Sequence, residues 1–255
     1  MTGASRGIGR ALTQRLTSNG MTVVAIGRTS SELDQVAQDT GAHPFVLDVR
    51  DPAAVDDVFG QITVEHGVPD LLVNNAGVGG SGLTWEIAPE EWWRVLEINV
   101  RGTYLCSRAV LPAMMSRRSG RIINLSSGAA TYPVGLDNDG VVSSAYMASK
   151  AAVNRFTEAL AGESYDAGVR VFAISPGMVK TDMTAAAFPD LWDNDEIWTP
   201  VERCLDLIAD LDSGMLDQLS GRYLRAAVDD WRSLAARADE VIELDTNVLR
   251  LVDLP

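Results

Sequence analysis

Apolar residues recur along this chain in two rhythms that take turns. Short aliphatic, largely β-branched runs of strand length lie at 21–26, 44–49, 70–74, 121–125, 169–175 and 220–224. Between them the spacing lengthens to that of helices. A helix is predicted over about 7–17, with Ile8, Ala11, Leu12 and Leu16 along one side. Further helices are predicted near 31–39 and 51–65, within 85–110, over an Ala-rich buried run from Ser144 through Leu160, over 200–211 and near Trp231. Strands that alternate with helices imply a parallel sheet covered on both faces, an α/β doubly wound architecture. Its crossovers should be right-handed, and its ligands should bind at the carboxyl ends of the strands. Segment 131–143 reads as a polar loop, and 184–199 loses both rhythms. No repeat or linker divides the chain, so 1–255 is expected to be a single domain, with 184–255 adding a substrate loop and C-terminal elements.

Composition narrows the class. The chain has 255 residues, 46% apolar and 22% charged, ordinary for a globular enzyme with a sizeable core. No apolar run is long enough to span a bilayer, and no basic start followed by an apolar stretch suggests secretion. The expected setting is the cytoplasm, with no membrane partner. A net charge of −14 argues against nucleic acid, although local cations can still hold an anionic cofactor. Cys106 and Cys204 fall in helical patterns and read as buried thiols. His43 and His66 are isolated in sequence without ligand spacing, so structural roles are expected and no metal site.

The candidate chemistry gathers at the ends of the predicted strands. Gly3, Gly7 and Gly9 lie in a turn feeding the first helix, where backbone amides can approach a pyrophosphate. Gly27 and then Arg28 follow the next strand, where an acid would favour the ribose 2′-hydroxyl. An arginine there suits a 2′-phosphate, and Arg6 can add a second cation, so NADP is expected over NAD. Asp48 ends a strand and could accept from an adenine amino group. Asn74 and Ser127 also follow strands. Tyr146 and Lys150 are four apart and share a helix face. An ammonium on that face is expected to lower the phenol's pKa from about 10, giving a proton donor and acceptor near neutrality. The aromatic-rich segment with Trp192 and Trp198 could be a substrate lid or ordinary packing.

Together these residues resemble the short-chain dehydrogenase/reductase family in its single-domain branch, a Rossmann fold. The likeness runs from Thr2 to about Met183 and more loosely to the end. Thr2 to Gly9 resembles the family's cofactor loop, Asn74 to Gly77 its structural and cofactor motif, and Pro176, Gly177 and Thr181 its nicotinamide-side motif. Asn99, Ser127, Tyr146 and Lys150 resemble its catalytic tetrad. The resemblance implies that Tyr146 exchanges a proton with a carbonyl or alcohol oxygen and that Ser127 orients that oxygen. Ser127 is preferred to Ser126 because it directly precedes a small-residue turn. Lys150 would lower the tyrosine pKa and bond the nicotinamide ribose, and Asn99 would hold a proton-relaying water. Val179 and Thr181 would position the carboxamide. Cofactor contacts are likewise implied for Gly3, Ser5, Arg6, Gly7, Ile8, Gly9, Arg28, Asp48, Val49, Asn75, Ala76, Gly77, Tyr146, Lys150, Pro176 and Gly177. The implied activity is NADP-dependent interconversion of a small-molecule carbonyl and a secondary alcohol, in a homodimer or tetramer. A non-catalytic NADP-binding protein and a sugar-nucleotide epimerase are the competing readings.

Two features depart from the family. The stretch from Ser127 to Tyr146 is longer than usual, and its extra residues, around Leu136 to Gly140, are expected to shape substrate access. The family's first strand should precede Thr2, yet the chain begins at Met1. Burying five apolar side chains of a central strand contributes on the order of 10 kcal/mol, at roughly 2 each. A whole domain nets only about 5–15 kcal/mol. The sequence is therefore expected to be truncated, with a misassigned start as the simplest cause.

Overall fold

The computed structural model describes residues 1–132 and 142–250. Among these residues six parallel strands form the sheet: β1 (Val24–Gly27), β2 (His43–Val46), β3 (Leu71–Asn74), β4 (Gly120–Leu125), β5 (Val169–Ser175) and β6 (Tyr223–Arg225). Their order is β2-β1 on one side and β3-β4-β5-β6 on the other. Thr2 stands between the two groups and bridges Ile26 and Asn74 in parallel. Its amide donates to Val73 O at 3.0 Å, while Ile26 donates to Met1 O at 2.9 Å. The central position expected for the family's first strand is thus held by Met1 and Thr2. The Met1 ammonium donates to Val24 O at 2.8 Å, and its burial lowers its pKa to about 6.

The helices are α1 (Gly7–Ser18), α2 (Ser30–Thr40), α3 (Pro52–His66), α4 (Pro89–Leu96), α5 (Gly102–Arg117), α6 (Ser144–Ser164), α7 (Asp182–Ala187), α8 (Val201–Asp212), α9 (Trp231–Ala236) and α10 (Ala238–Glu243). Strand alternation decides which of them each side chain meets. In β4, Ile122 packs with Leu105, Met114 and Leu160 of α5 and α6, while its neighbour Ile123 packs with Leu12, Leu207 and Ile208 of α1 and α8. Val171 and Phe172 of β5 divide in the same way. Both faces are therefore covered, the doubly wound arrangement that the alternation implies. Asp51 sets the start of α3 by accepting from the amides of Ala53 and Ala54, with Pro52 at the first helical position.

Two sequence expectations are corrected. The 44–49 run is not a buried strand. β2 spans His43–Val46, is paired only with β1, and leaves Val46 55% exposed. An edge position tolerates Pro44, which has no amide to donate. The helix expected within 85–110 is two helices joined by a π-helical turn over Glu97–Arg101. His43 and His66, apart in sequence, meet where the end of α3 returns to the start of β2, with their rings 4.4 Å apart and tilted at 44°. Cys106 and Cys204 are buried and unpaired. No helix among the described residues is long and apolar enough to cross a membrane. The segment around Leu136 to Gly140 lies outside the described residues.

Candidate active site

The glycine turn and the segment after β3 are laced together. Asn75 Nδ2 donates to the carbonyls of Thr2 and Gly3 at 3.1 and 2.8 Å, and Thr2 Oγ1 accepts from the amides of Asn75 and Ala76, both at 3.1 Å. A Cβ on Gly9 would lie 2.0 Å from Gly3 O, so only glycine lets α1 begin against this turn. Arg6 caps α1 with no side-chain hydrogen bond, which leaves first-turn amides to an outside acceptor. That is the donor set an anionic pyrophosphate needs. Thr2 positions this turn, a part that motif reading assigned to no single residue.

Beyond β1, Arg28 is exposed, and its charge helps to hold Asp48 ionised. The main partner of Asp48 is Arg50, whose Nε lies 3.1 Å from both carboxylate oxygens and whose Nη2 lies 2.7 Å from Oδ2. These hydrogen bonds hold the Asp48 carboxyl below its usual range, so part of its acceptor capacity is already engaged. Arg50 is a cation that sequence reasoning missed, because nothing in its spacing marks a partner two residues back. Arg6 leans on Asp182 at 3.7 Å with both side chains well exposed, a weak pairing.

The proton-handling side chains meet where β4 ends and α6 begins. Ser143 caps α6 by accepting from the Tyr146 amide at 3.3 Å. Lys150 is buried, and its Nζ donates to Leu125 O at 2.7 Å while lying 5.6 Å from the centre of the Tyr146 ring. Burial lowers the Lys150 pKa to about 8. The Tyr146 phenol moves the other way. Burial raises its pKa, and a hydrogen bond with Ser127 only partly opposes the rise. The expected lysine-driven drop is therefore corrected: in this structure burial raises the phenol's pKa, and the group that opposes the rise is Ser127, not Lys150. Ser126 turns inward and its hydroxyl donates to Lys150 O at 3.3 Å, anchoring α6 to β4, whereas Ser127 faces the phenol.

Asn99 sits in the π-helical turn and is buried. Its Nδ2 donates to Val78 O and Ser149 Oγ, both at 3.0 Å, and its Oδ1 accepts from the Val78 amide at 2.9 Å. It therefore ties the segment after β3 to the helix that carries Tyr146. Single π turns often mark functional positions. A Cβ on Gly77 would stand 3.2 Å from Asn99 Oδ1 and 3.6 Å from Lys150 Nζ, so glycine keeps open the space beside the ammonium. Beneath, Asn74 Nδ2 donates to Ser107 Oγ and Asn124 Oδ1, and Asn124 Nδ2 donates to Thr157 Oγ1. This buried chain of side chains joins β3 and β4 to α5 and α6.

The segment after β5 closes over the opposite side. Thr181 Oγ1 accepts from the Thr184 amide at 3.3 Å to cap α7, and Thr184 Oγ1 donates to Val179 O at 2.8 Å. The space above Gly7 is bounded by Thr181 Cγ2, 3.2 Å from where a Cβ would be, and Met183 similarly covers Gly79 at 3.4 Å. The glycine turn, the 74–77 motif, the Ser127–Tyr146–Lys150 group and the 176–183 segment thus surround one region at the carboxyl ends of the strands.

The family model for short chain dehydrogenases matches residues 1–192, and the chain belongs to that family. It is similar to the 3-oxoacyl-(acyl-carrier-protein) reductase FabG of Escherichia coli, with 36% identity over 192 residues, 74% of this chain and 76% of that one. A solved variant of actinorhodin polyketide ketoreductase with NADPH superposes with a TM-score of 0.79 at 29% identity, covering 88% of this chain and 93% of that one. A 3-oxoacyl-(acyl-carrier protein) reductase from Brucella melitensis with bound NAD gives 0.77 at 29% identity, covering 88% and 87%. The chain is therefore an oxidoreductase of a family whose members bind a nicotinamide cofactor.

Proposed function

We propose that this protein uses NADPH to reduce a small-molecule carbonyl to a secondary alcohol, and runs the reverse with NADP, with Tyr146 as the acid and base. The observation that carries the reading is the convergence of Ser127, Tyr146 and Lys150 beside the space that Gly77 leaves open. The bound cofactor supplies the hydride. The amides at the start of α1 would hold its pyrophosphate, Arg28 and Arg6 would pair with its 2′-phosphate, and Lys150 would donate to its ribose. Val179 and Thr181 would position the carboxamide. Ser127 donates to the carbonyl oxygen, and Tyr146 passes its proton to that oxygen as the alcohol forms. Asn99 keeps the segment after β3 in register with α6 and holds a water for the proton relay. The chain acts as one domain, with 184–255 contributing the substrate loop and C-terminal elements. Tyr104 of α5 is 46% exposed and packs edge-on against Phe156 of α6 at 6.3 Å, which suits a dimer or tetramer built on these helices.

The test of the activity is NADPH oxidation with a panel of ketones, alongside cofactor titration. Binding without turnover of any ketone would favour a non-catalytic cofactor-binding protein. Cofactor choice has its own test. Arg50 is committed to Asp48, and Arg28 stands exposed just beyond β1, so Arg28 carries the larger share of the 2′-phosphate recognition and Arg6 adds to it. Arg28→Ala should weaken NADPH about tenfold, roughly 1.4 kcal/mol, and leave NADH nearly unchanged in fluorescence titrations. Equal losses for both cofactors would remove Arg28 from that role.

A further inference from the structure

Lys180 lies between Val179 and Thr181, the two residues assigned above to the nicotinamide side. Its side chain does not reach the cofactor region. It runs back into the segment that follows, where Nζ meets Asp195 Oδ1 at 2.6 Å. The same ammonium lies 5.4 Å from the centre of the Trp192 ring and 5.8 Å from that of Trp198. The two indoles pack edge to face at 5.4 Å, and Trp198 Nε1 donates to Trp192 O at 3.2 Å. A further bond closes the base of the segment, from the Thr199 amide to Met178 O at 2.7 Å. One cation thus gathers the far arm of the excursion onto its near arm. Asp195 is 88% exposed, so its ion pair alone would hold little. Two aromatic faces around the same ammonium change that balance, because cation–π attraction adds to the pairing and the indoles shed water against each other.

We propose that Lys180, clasped by Trp192, Trp198 and Asp195, is a positioning residue that holds Val179 and Thr181 in place to receive the nicotinamide. The inference rests on the NADP reading above. The geometry makes the coupling direct. Thr184 fastens Val179 and Thr181 from the α7 side, and the clasp fastens residue 180 between them from the other. Thr181 Cγ2 stands over Gly7, 3.2 Å from where a Cβ would be, so a clasp that slackens at Lys180 loosens a wall of the cofactor site. The two tryptophans therefore also report on that site.

Lys180→Met keeps an apolar stem on the indoles and removes the charge. It should raise the NADPH KM and Kd about three- to tenfold and lower kcat several-fold, with Tm nearly unchanged, because the clasp is a small exposed part of the fold. It should also shrink the tryptophan fluorescence change that NADPH titration produces, a change that Trp192→Phe and Trp198→Phe should each reduce. Lys180→Arg, which can still stack on both rings and meet Asp195, should recover most of the loss. A wild type that binds NADPH beside a Lys180→Met variant with unaltered KM, Kd and kcat overturns the clasp alone. So does a variant whose only defect is a lower Tm. A wild type that fails to bind NADPH overturns the clasp together with the NADP reading.

Discussion

Replacing Tyr146 with phenylalanine is expected to cut turnover by about 10²–10⁴-fold, the usual share of a positioned general acid. That corresponds to roughly 3–5 kcal/mol of barrier. NADPH affinity should hardly change, since the ring keeps its place 5.6 Å from Lys150 Nζ and only the hydroxyl is lost. Fluorescence titration beside steady-state rates separates the two effects. The pH profile adds a signature. Burial raises the phenol's pKa and the Ser127 hydrogen bond only partly opposes it, so at neutral pH the phenol keeps its proton. Carbonyl reduction consumes that proton and should fall only on the alkaline side. Alcohol oxidation needs the phenolate and should climb as pH rises. Ser127→Ala removes the opposing hydrogen bond and should move the oxidation limb to still higher pH. A Tyr146→Phe enzyme with near wild-type rates would end the proton-transfer role.

Why some of this was legible and some was not follows from what a linear pattern encodes. Alternation in β4 and β5 states which side chains face which layer, so Ile122 and Ile123 could be placed on opposite faces before any coordinates. Glycines report where backbones must approach, and Gly9 against Gly3 is such a place. The direction of the Tyr146 shift was not legible. Spacing puts an ammonium on the same helix face, but the sign is set by how much water remains around the phenol, and packing decides that. Polar partners met across long stretches of chain were hidden for a related reason. Thr2 on Asn75 and Lys150 on the Leu125 carbonyl use backbone groups, which every residue carries. The paired rings of His43 and His66 and the clasp on Lys180 were equally silent, since each depends on where a loop or helix end returns.

Lys150→Met should abolish turnover and yet make the protein more stable at neutral pH. The lysine is buried, and desolvation lowers its pKa from an ordinary 10.5 to about 8. A shift of that size means the charged form is disfavoured on folding by roughly 3 kcal/mol. Methionine fills a similar volume without a charge. The offset is the hydrogen bond to Leu125 O, whose loss costs about 1–3 kcal/mol. A net gain of about 1 kcal/mol is expected at pH 7, or about 2–4 °C in Tm for a chain of this size. The sign then turns with pH. Below about 8 the lysine is charged both folded and unfolded, and the whole penalty is present. Between about 8 and 10.5 the folded protein releases the proton while the unfolded chain keeps it, so wild-type stability rises relative to the variant. Near pH 10.5 the penalty has largely gone, the neutral amine still donates to Leu125 O, and the variant should become the less stable of the two. Tyr223, Cys106 and Cys204, all pushed up to about 12 by burial, weaken both proteins equally in alkali and cancel in the comparison. Denaturant melts of both proteins from pH 6 to 10.5 read the crossing. A stability difference that stays flat with pH would mean that burial does not strain this ammonium, and the strained ammonium would then drop out of the account of the site.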